Sequence, residues 1–76
     1  MKVVIYGKEG CGFCRRAKKF CENEELAYEY YSLGTDVTKE DIQKAVGGEF
    51  PTYPQILVDG EPIGGYTELF DRVMGL

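Results

Sequence analysis

Cys11 and Cys14 are separated by only two residues, and that spacing is the clearest chemical signal in the chain. Side chains three apart on a helix share a face, about 5–6 Å from one another. A disulfide spans that separation. Such a pair opens and closes with little movement of the backbone, which is redox chemistry. The stretch Cys11-Gly12-Phe13-Cys14 falls where an apolar run gives way to a helical pattern, so Cys11 is expected at a helix start. Unpaired N–H groups and the helix dipole favour an anion there, and Lys8, Arg15 and Arg16 add positive charge nearby. A free thiol titrates near about 8.5, and a helix start lowers this to about 3.5–7.5. Cys11 is thus the expected nucleophile. Cys14, one turn further in and more buried, is the expected resolving thiol.

A zinc site is the competing use of such a pair. It needs a second pair of ligands, and the chain has no His and only one more cysteine. That third cysteine, Cys21, lies seven residues beyond Cys14, roughly 10 Å along a helix axis. It reads as a small buried apolar residue.

The surrounding pattern supplies the elements that must hold the pair. Val3 to Tyr6 is a β-branched apolar run ended by Gly7, read as a buried strand. A helix follows from Gly12 to about Glu24, with Phe13, Ala17, Phe20 and Glu24 expected on one stripe and Cys14 and Cys21 beside it. Leu26 to Tyr31 reads as a second strand, with Tyr28 and Tyr30 on one face and Glu29 on the other. Thr38 and Asp41 form a capping box for a helix to about Val46, ended by Gly47-Gly48. Pro51 and Pro54 bracket a constrained loop before the strand Ile56-Leu57-Val58. Asp59-Gly60 is a strong hairpin signal, and Pro62 assigns the returning strand to a sheet edge. Thr67 is the expected cap of a last helix that turns Leu69, Phe70 and Val73 inward.

The order βαβαββα predicts an α/β fold. The first two strands should be parallel and joined right-handedly, the last two antiparallel, in a mixed four-stranded sheet with helices on both faces. The 76 residues suit a single domain, 1–76. A net charge of -4 with no dense cluster of Lys and Arg argues against nucleic acid as a partner. The opening apolar run is too short for a signal peptide or a membrane span. A reducing compartment, the cytoplasm, is the expected location.

Over nearly its whole length the chain resembles the glutaredoxins. The matching segments are Tyr6-Gly7-Lys8-Glu9-Gly10-Cys11-Gly12-Phe13-Cys14, Thr52-Tyr53-Pro54-Gln55-Ile56, Gly60, and Ile63-Gly64-Gly65-Tyr66-Thr67-Glu68-Leu69. The resemblance implies a thioredoxin-like fold and a glutathione-dependent reductase of protein disulfides and glutathione mixed disulfides. By the same resemblance Cys11 takes up the glutathionyl group, and a second glutathione or Cys14 releases it. Pro54 is then a cis-proline facing the site, and the backbone of Tyr53 pairs with the cysteinyl part of glutathione. Lys8 meets one glutathione carboxylate, and Gly65, Tyr66 and Thr67 hold the other at a helix start. Phe13, beside the sulfur, completes the expected glutathione contacts. Glutathione is the implied reductant, with no tightly bound cofactor. The implied partners are disulfide-containing or glutathionylated proteins, ribonucleotide reductase among those the family serves, met by a monomer.

Three positions depart from the commonest family pattern. Gly12-Phe13 replaces Pro-Tyr between the cysteines, and Thr67 stands where many members have Asp. Gly-Phe also resembles the monothiol glutaredoxins that carry iron–sulfur clusters. Two alternatives therefore accompany the main reading: a redoxin recycled by thioredoxin reductase, and a cluster carrier in which two chains share a cluster through Cys11 and glutathione. Retention of Cys14 weighs against the carrier.

Overall fold

The computed structural model describes residues 1–75. Seven elements follow in the order β1 (Lys2–Gly7), α1 (Gly12–Asn23), β2 (Ala27–Ser32), α2 (Lys39–Val46), β3 (Gln55–Val58), β4 (Glu61–Gly64) and α3 (Tyr66–Met74). The sheet order is β2-β1-β3-β4. β1 and β2 are parallel, with Ile5 opposite Tyr30, and β3 runs antiparallel to both β1 and β4. This is the expected mixed four-stranded sheet.

Strand alternation divides the core into two layers. Val3 and Ile5 of β1 and Ile56 and Val58 of β3 pack against Ala17, Phe20 and Cys21 of α1 and Leu69 of α3. Leu57, between Ile56 and Val58, takes the opposite face, the side of α2, whose Ile42 is fully buried. Tyr28 and Tyr30 join the α1 side of the core from β2. Pro62 lies in β4 at the sheet edge, where a residue without an N–H is tolerated.

Local chemistry sets the joints. Asp59 and Gly60 both adopt positive φ, 51° and 84°, in the tight turn between β3 and β4, as a two-residue primed turn requires. The Thr38 hydroxyl accepts the Asp41 N–H at 3.1 Å, and the Asp41 carboxylate accepts the Thr38 N–H at 2.9 Å. Hydrogen bonding from Thr38, its backbone N–H first and its side chain second, holds the Asp41 carboxyl below its usual range.

Two expectations need correction. The buried stripe of α1 is Cys14, Ala17, Phe20 and Cys21, whereas Phe13 is 54% exposed and Glu24 is exposed beyond the helix end. Cys14 of the same turn points fully inward, and Phe13, one position earlier and about 100° round the helix, faces the groove and solvent instead. Thr67 does not cap the last helix either. Gly65 is the N-cap and Thr67 lies inside α3. Glu68 reaches back to accept the Gly65 N–H at 2.8 Å, so the acceptor comes from within the helix.

Candidate active site

β1 ends at Gly7, and the loop 8–11 carries the chain to the start of α1. Cys11 is the N-cap, with extended backbone at φ -101° and ψ 108°. Its sulfur accepts the N–H of Cys14 at 3.2 Å. The two Cα atoms are 5.2 Å apart and the sulfurs stand at disulfide distance. The pair differs sharply in burial: Cys11 is half-buried and Cys14 fully buried. An attacking thiolate therefore reaches Cys11 and not Cys14.

The loop 51–54 closes the other side. The Tyr53–Pro54 peptide bond is cis, and the Tyr53 carbonyl oxygen lies 3.8 Å from the Cys11 sulfur. The loop is tied down by Gln55, a buried side chain whose amide donates to the Thr52 carbonyl at 2.7 Å. Lys8 holds its ammonium 5.0 Å from the centre of the Tyr53 ring, a cation–π distance.

A groove of about 260 Å³ runs from this loop to the start of α3. Its walls are Phe13, Thr52, Tyr53, Pro54, Gly65, Tyr66, Thr67 and Glu68. Phe13 and Tyr66 face each other with ring centres 6.1 Å apart, and the Arg16 guanidinium lies over the outer side of Phe13. Six residues singled out from the sequence thus share one groove: Phe13, Tyr53, Pro54, Gly65, Tyr66 and Thr67. Cys11 sits at its Tyr53 end and Cys14 lies buried one turn further into α1. Lys8 stands over the Tyr53 ring and is not among the residues that line the groove.

Thr52 and Glu68 also line the groove, and the sequence reading did not place them there. Glu68 had a usable signal, an acidic residue three after Gly65, which is the spacing of a capping box. Thr52 belongs to the segment that carries the family resemblance, but by itself a β-branched residue before a strand is ordinary.

Cys21 takes no part. It is fully buried on the inner face of α1, and burial, helped by the Glu22 charge, pushes its thiol up to about 11. A thiol so protonated is a poor nucleophile.

The arrangement can exchange a disulfide between a solvent-reachable sulfur and a buried one beside an open groove. Comparison with known proteins agrees. The family model described as Glutaredoxin matches residues 3–63. Glutaredoxin 1 of Escherichia coli is 40% identical over 74 residues, covering 90% of this chain and 87% of that protein. The structure of reduced Escherichia coli glutaredoxin superposes with a TM-score of 0.82 at 38% identity, over 99% of this chain and 95% of that one. A buckwheat glutaredoxin–glutathione complex has a TM-score of 0.74 at 27% identity, covering 96% of this chain and 69% of that one.

Proposed function

This chain belongs to the glutaredoxin family of thiol–disulfide oxidoreductases, and from that premise we propose that it uses glutathione as reductant and acts on glutathione mixed disulfides through Cys11. The observation that carries the reading is the meeting of the Cys11 sulfur and the Tyr53 carbonyl, 3.8 Å apart, at one end of the groove. A peptide thiol whose sulfur reaches Cys11 has the Tyr53 backbone beside it, as an added strand has a sheet edge.

The roles follow from position. The Cys11 thiolate attacks the glutathionyl sulfur of a mixed disulfide; a Cys11–glutathione bond forms, and the substrate leaves as a thiolate that takes a proton from water. A second glutathione thiolate then attacks the bound glutathionyl sulfur. Oxidised glutathione departs and Cys11 regains its thiolate. With a protein disulfide, Cys11 attacks one sulfur and the other leaves as a thiolate; Cys14 then attacks Cys11 Sγ, the Cys11–substrate bond breaks, the substrate's second thiolate departs and the pair closes. The Gly65 N–H is taken by Glu68, so the start of α3 at Tyr66 and Thr67 favours one carboxylate of glutathione, and the Lys8 ammonium favours the other. Phe13 and Tyr66 flank the thiol's path. The cytoplasm, where glutathione keeps thiols reduced, suits this chemistry.

The test is turnover of a glutathione mixed disulfide with glutathione, run beside recycling by thioredoxin reductase. Wild-type protein should turn over with glutathione, Cys11→Ser should be inactive, and Cys14→Ser should keep much of the activity. Recycling by thioredoxin reductase without glutathione turnover would reject the reading.

A further inference from the structure

Gly7 ends β1 just before the active-site loop, and two other residues share the space its missing side chain leaves. A Cβ on Gly7 would strike the Tyr30 hydroxyl, would lie 2.7 Å from Tyr30 Cζ, and would lie 3.0 Å from Cys14 Cβ. The Tyr30 hydroxyl and the Cys14 Cβ therefore border the same space over Gly7. Tyr30 reaches this point from β2, on the face that packs against α1.

Its neighbours in the strand use their hydroxyls differently. Tyr28 donates to Glu22 at 2.8 Å and Tyr31 donates to Glu29 at 2.6 Å. Among the described residues the Tyr30 hydroxyl has no carboxylate acceptor. Burial, only partly offset by the Arg15 charge, keeps it protonated beyond the ordinary tyrosine range. The other charge facing it is Lys18, whose ammonium stands 5.6 Å from the ring centre.

Cys14 needs a donor. It is fully buried, and opening the disulfide leaves negative charge on its sulfur, which is costly without a hydrogen bond. Its own N–H is committed to Cys11. We infer that the Tyr30 hydroxyl donates a hydrogen bond to the Cys14 sulfur as that sulfur leaves. The inference rests on the reading of Cys11 as the attacked sulfur. In the step, an incoming thiolate attacks Cys11 Sγ and forms a new S–S bond. The Cys11–Cys14 bond breaks and its electron pair goes to Cys14. The Cys14 thiolate takes its proton from water, and Tyr30 keeps its own. The same contact stabilises the reduced pair.

The test is the rate at which the oxidised protein is opened, by glutathione and separately by mercaptoethanol. Tyr30→Phe should slow both about tenfold, the size expected for a lost hydrogen bond to a charged group, and should make the reduction potential more negative. The Tyr30→Phe effect should disappear once Cys14 is replaced by Ser, when glutathione release from Cys11 is followed instead. A site-specific fluorotyrosine at position 30, nearly isosteric and more acidic, should speed opening; it tests the idea even if the Phe variant folds poorly. If mercaptoethanol shows the Tyr30 dependence and glutathione opens neither form, the glutathione reading fails and this one stands. Opening at the wild-type rate in Tyr30→Phe, or equal slowing with Cys14 absent, would overturn it.

Discussion

The N–H of Cys14 points at the sulfur of Cys11, 3.2 Å away, so the two cysteines are joined by a backbone contact as well as by their side chains. Once the disulfide is reduced, that N–H remains to stabilise charge on Cys11, whereas Cys14 is fully buried away from any reagent. Alkylation of the reduced protein at neutral pH should therefore label Cys11 first, Cys14 much more slowly, and Cys21 only on unfolding. Peptide mass spectrometry over a time course reads the order directly. Labelling of Cys14 ahead of Cys11 would reverse their assigned roles.

Cys21 has its own signature at alkaline pH. Its thiol is pushed up to about 11 in the folded protein, from an ordinary 9.0. Between those values the unfolded chain has lost the proton while the folded chain still holds it. Stability from this group is complete below about 9 and falls as pH rises toward about 11, because the unfolded state binds fewer protons there. The expected loss is on the order of 1–3 kcal/mol. Denaturant unfolding from pH 8 to pH 11 measures it, comparing wild type with Cys21→Ala. Tyr28, Tyr30 and Tyr31 also titrate above their usual range, so the difference between the two proteins isolates the thiol. Parallel curves would show that Cys21 is not responsible.

What was legible in the sequence is what neighbouring residues encode. The spacing of Cys11 and Cys14, the Thr38–Asp41 box and the Asp59-Gly60 turn each lie within four residues, and the structure realises all three. The parallel first pair and the antiparallel last pair followed from connection rules, and the edge position of β4 from Pro62, whereas the full order β2-β1-β3-β4 joins strands far apart in the chain. Thr67 carries the side-chain oxygen that marks a helix cap in sequence, yet it lies inside α3 and Gly65 is the N-cap. Gly65 has no such oxygen, and the acceptor arrives from Glu68. Phe13 fits an apolar stripe by periodicity, but the stripe that is buried is centred on Cys14, Ala17 and Cys21, which leaves Phe13 at its margin beside the groove. Gly7, Cys14 and Tyr30 border one space from β1, α1 and β2, and no local pattern announces an approach among three elements.

Glu68 can be tested as the cap of α3. Its carboxylate satisfies the Gly65 N–H at a helix start that forms one wall of the groove. Glu68→Ala should cost about 1 kcal/mol, a fall of about 4–8 °C in the melting temperature for a domain of this size. Glu68→Gln should recover most of the loss, because its amide oxygen accepts the same hydrogen bond. Thermal unfolding of the three proteins decides it. Equal melting temperatures for wild type and Glu68→Ala would show that the bond contributes nothing.

Gly7→Ala isolates the packing around the buried cysteine. One methyl group would be forced against the Tyr30 hydroxyl and Cζ and close to Cys14 Cβ. Neighbours on two different elements would have to shift, at a cost of about 1–3 kcal/mol for overpacking. The atom nearest the new methyl is the Tyr30 oxygen, so Tyr30→Phe, which deletes it, should relieve part of the strain. The double variant should then be more stable than additivity of the two single changes allows, since residues in direct contact couple by about 0.5–3 kcal/mol. Denaturant unfolding of wild type, both single variants and the double variant gives the coupling. Strict additivity would mean that the sheet accommodates the methyl by moving β1 as a whole, and that Tyr30 is not its principal obstacle.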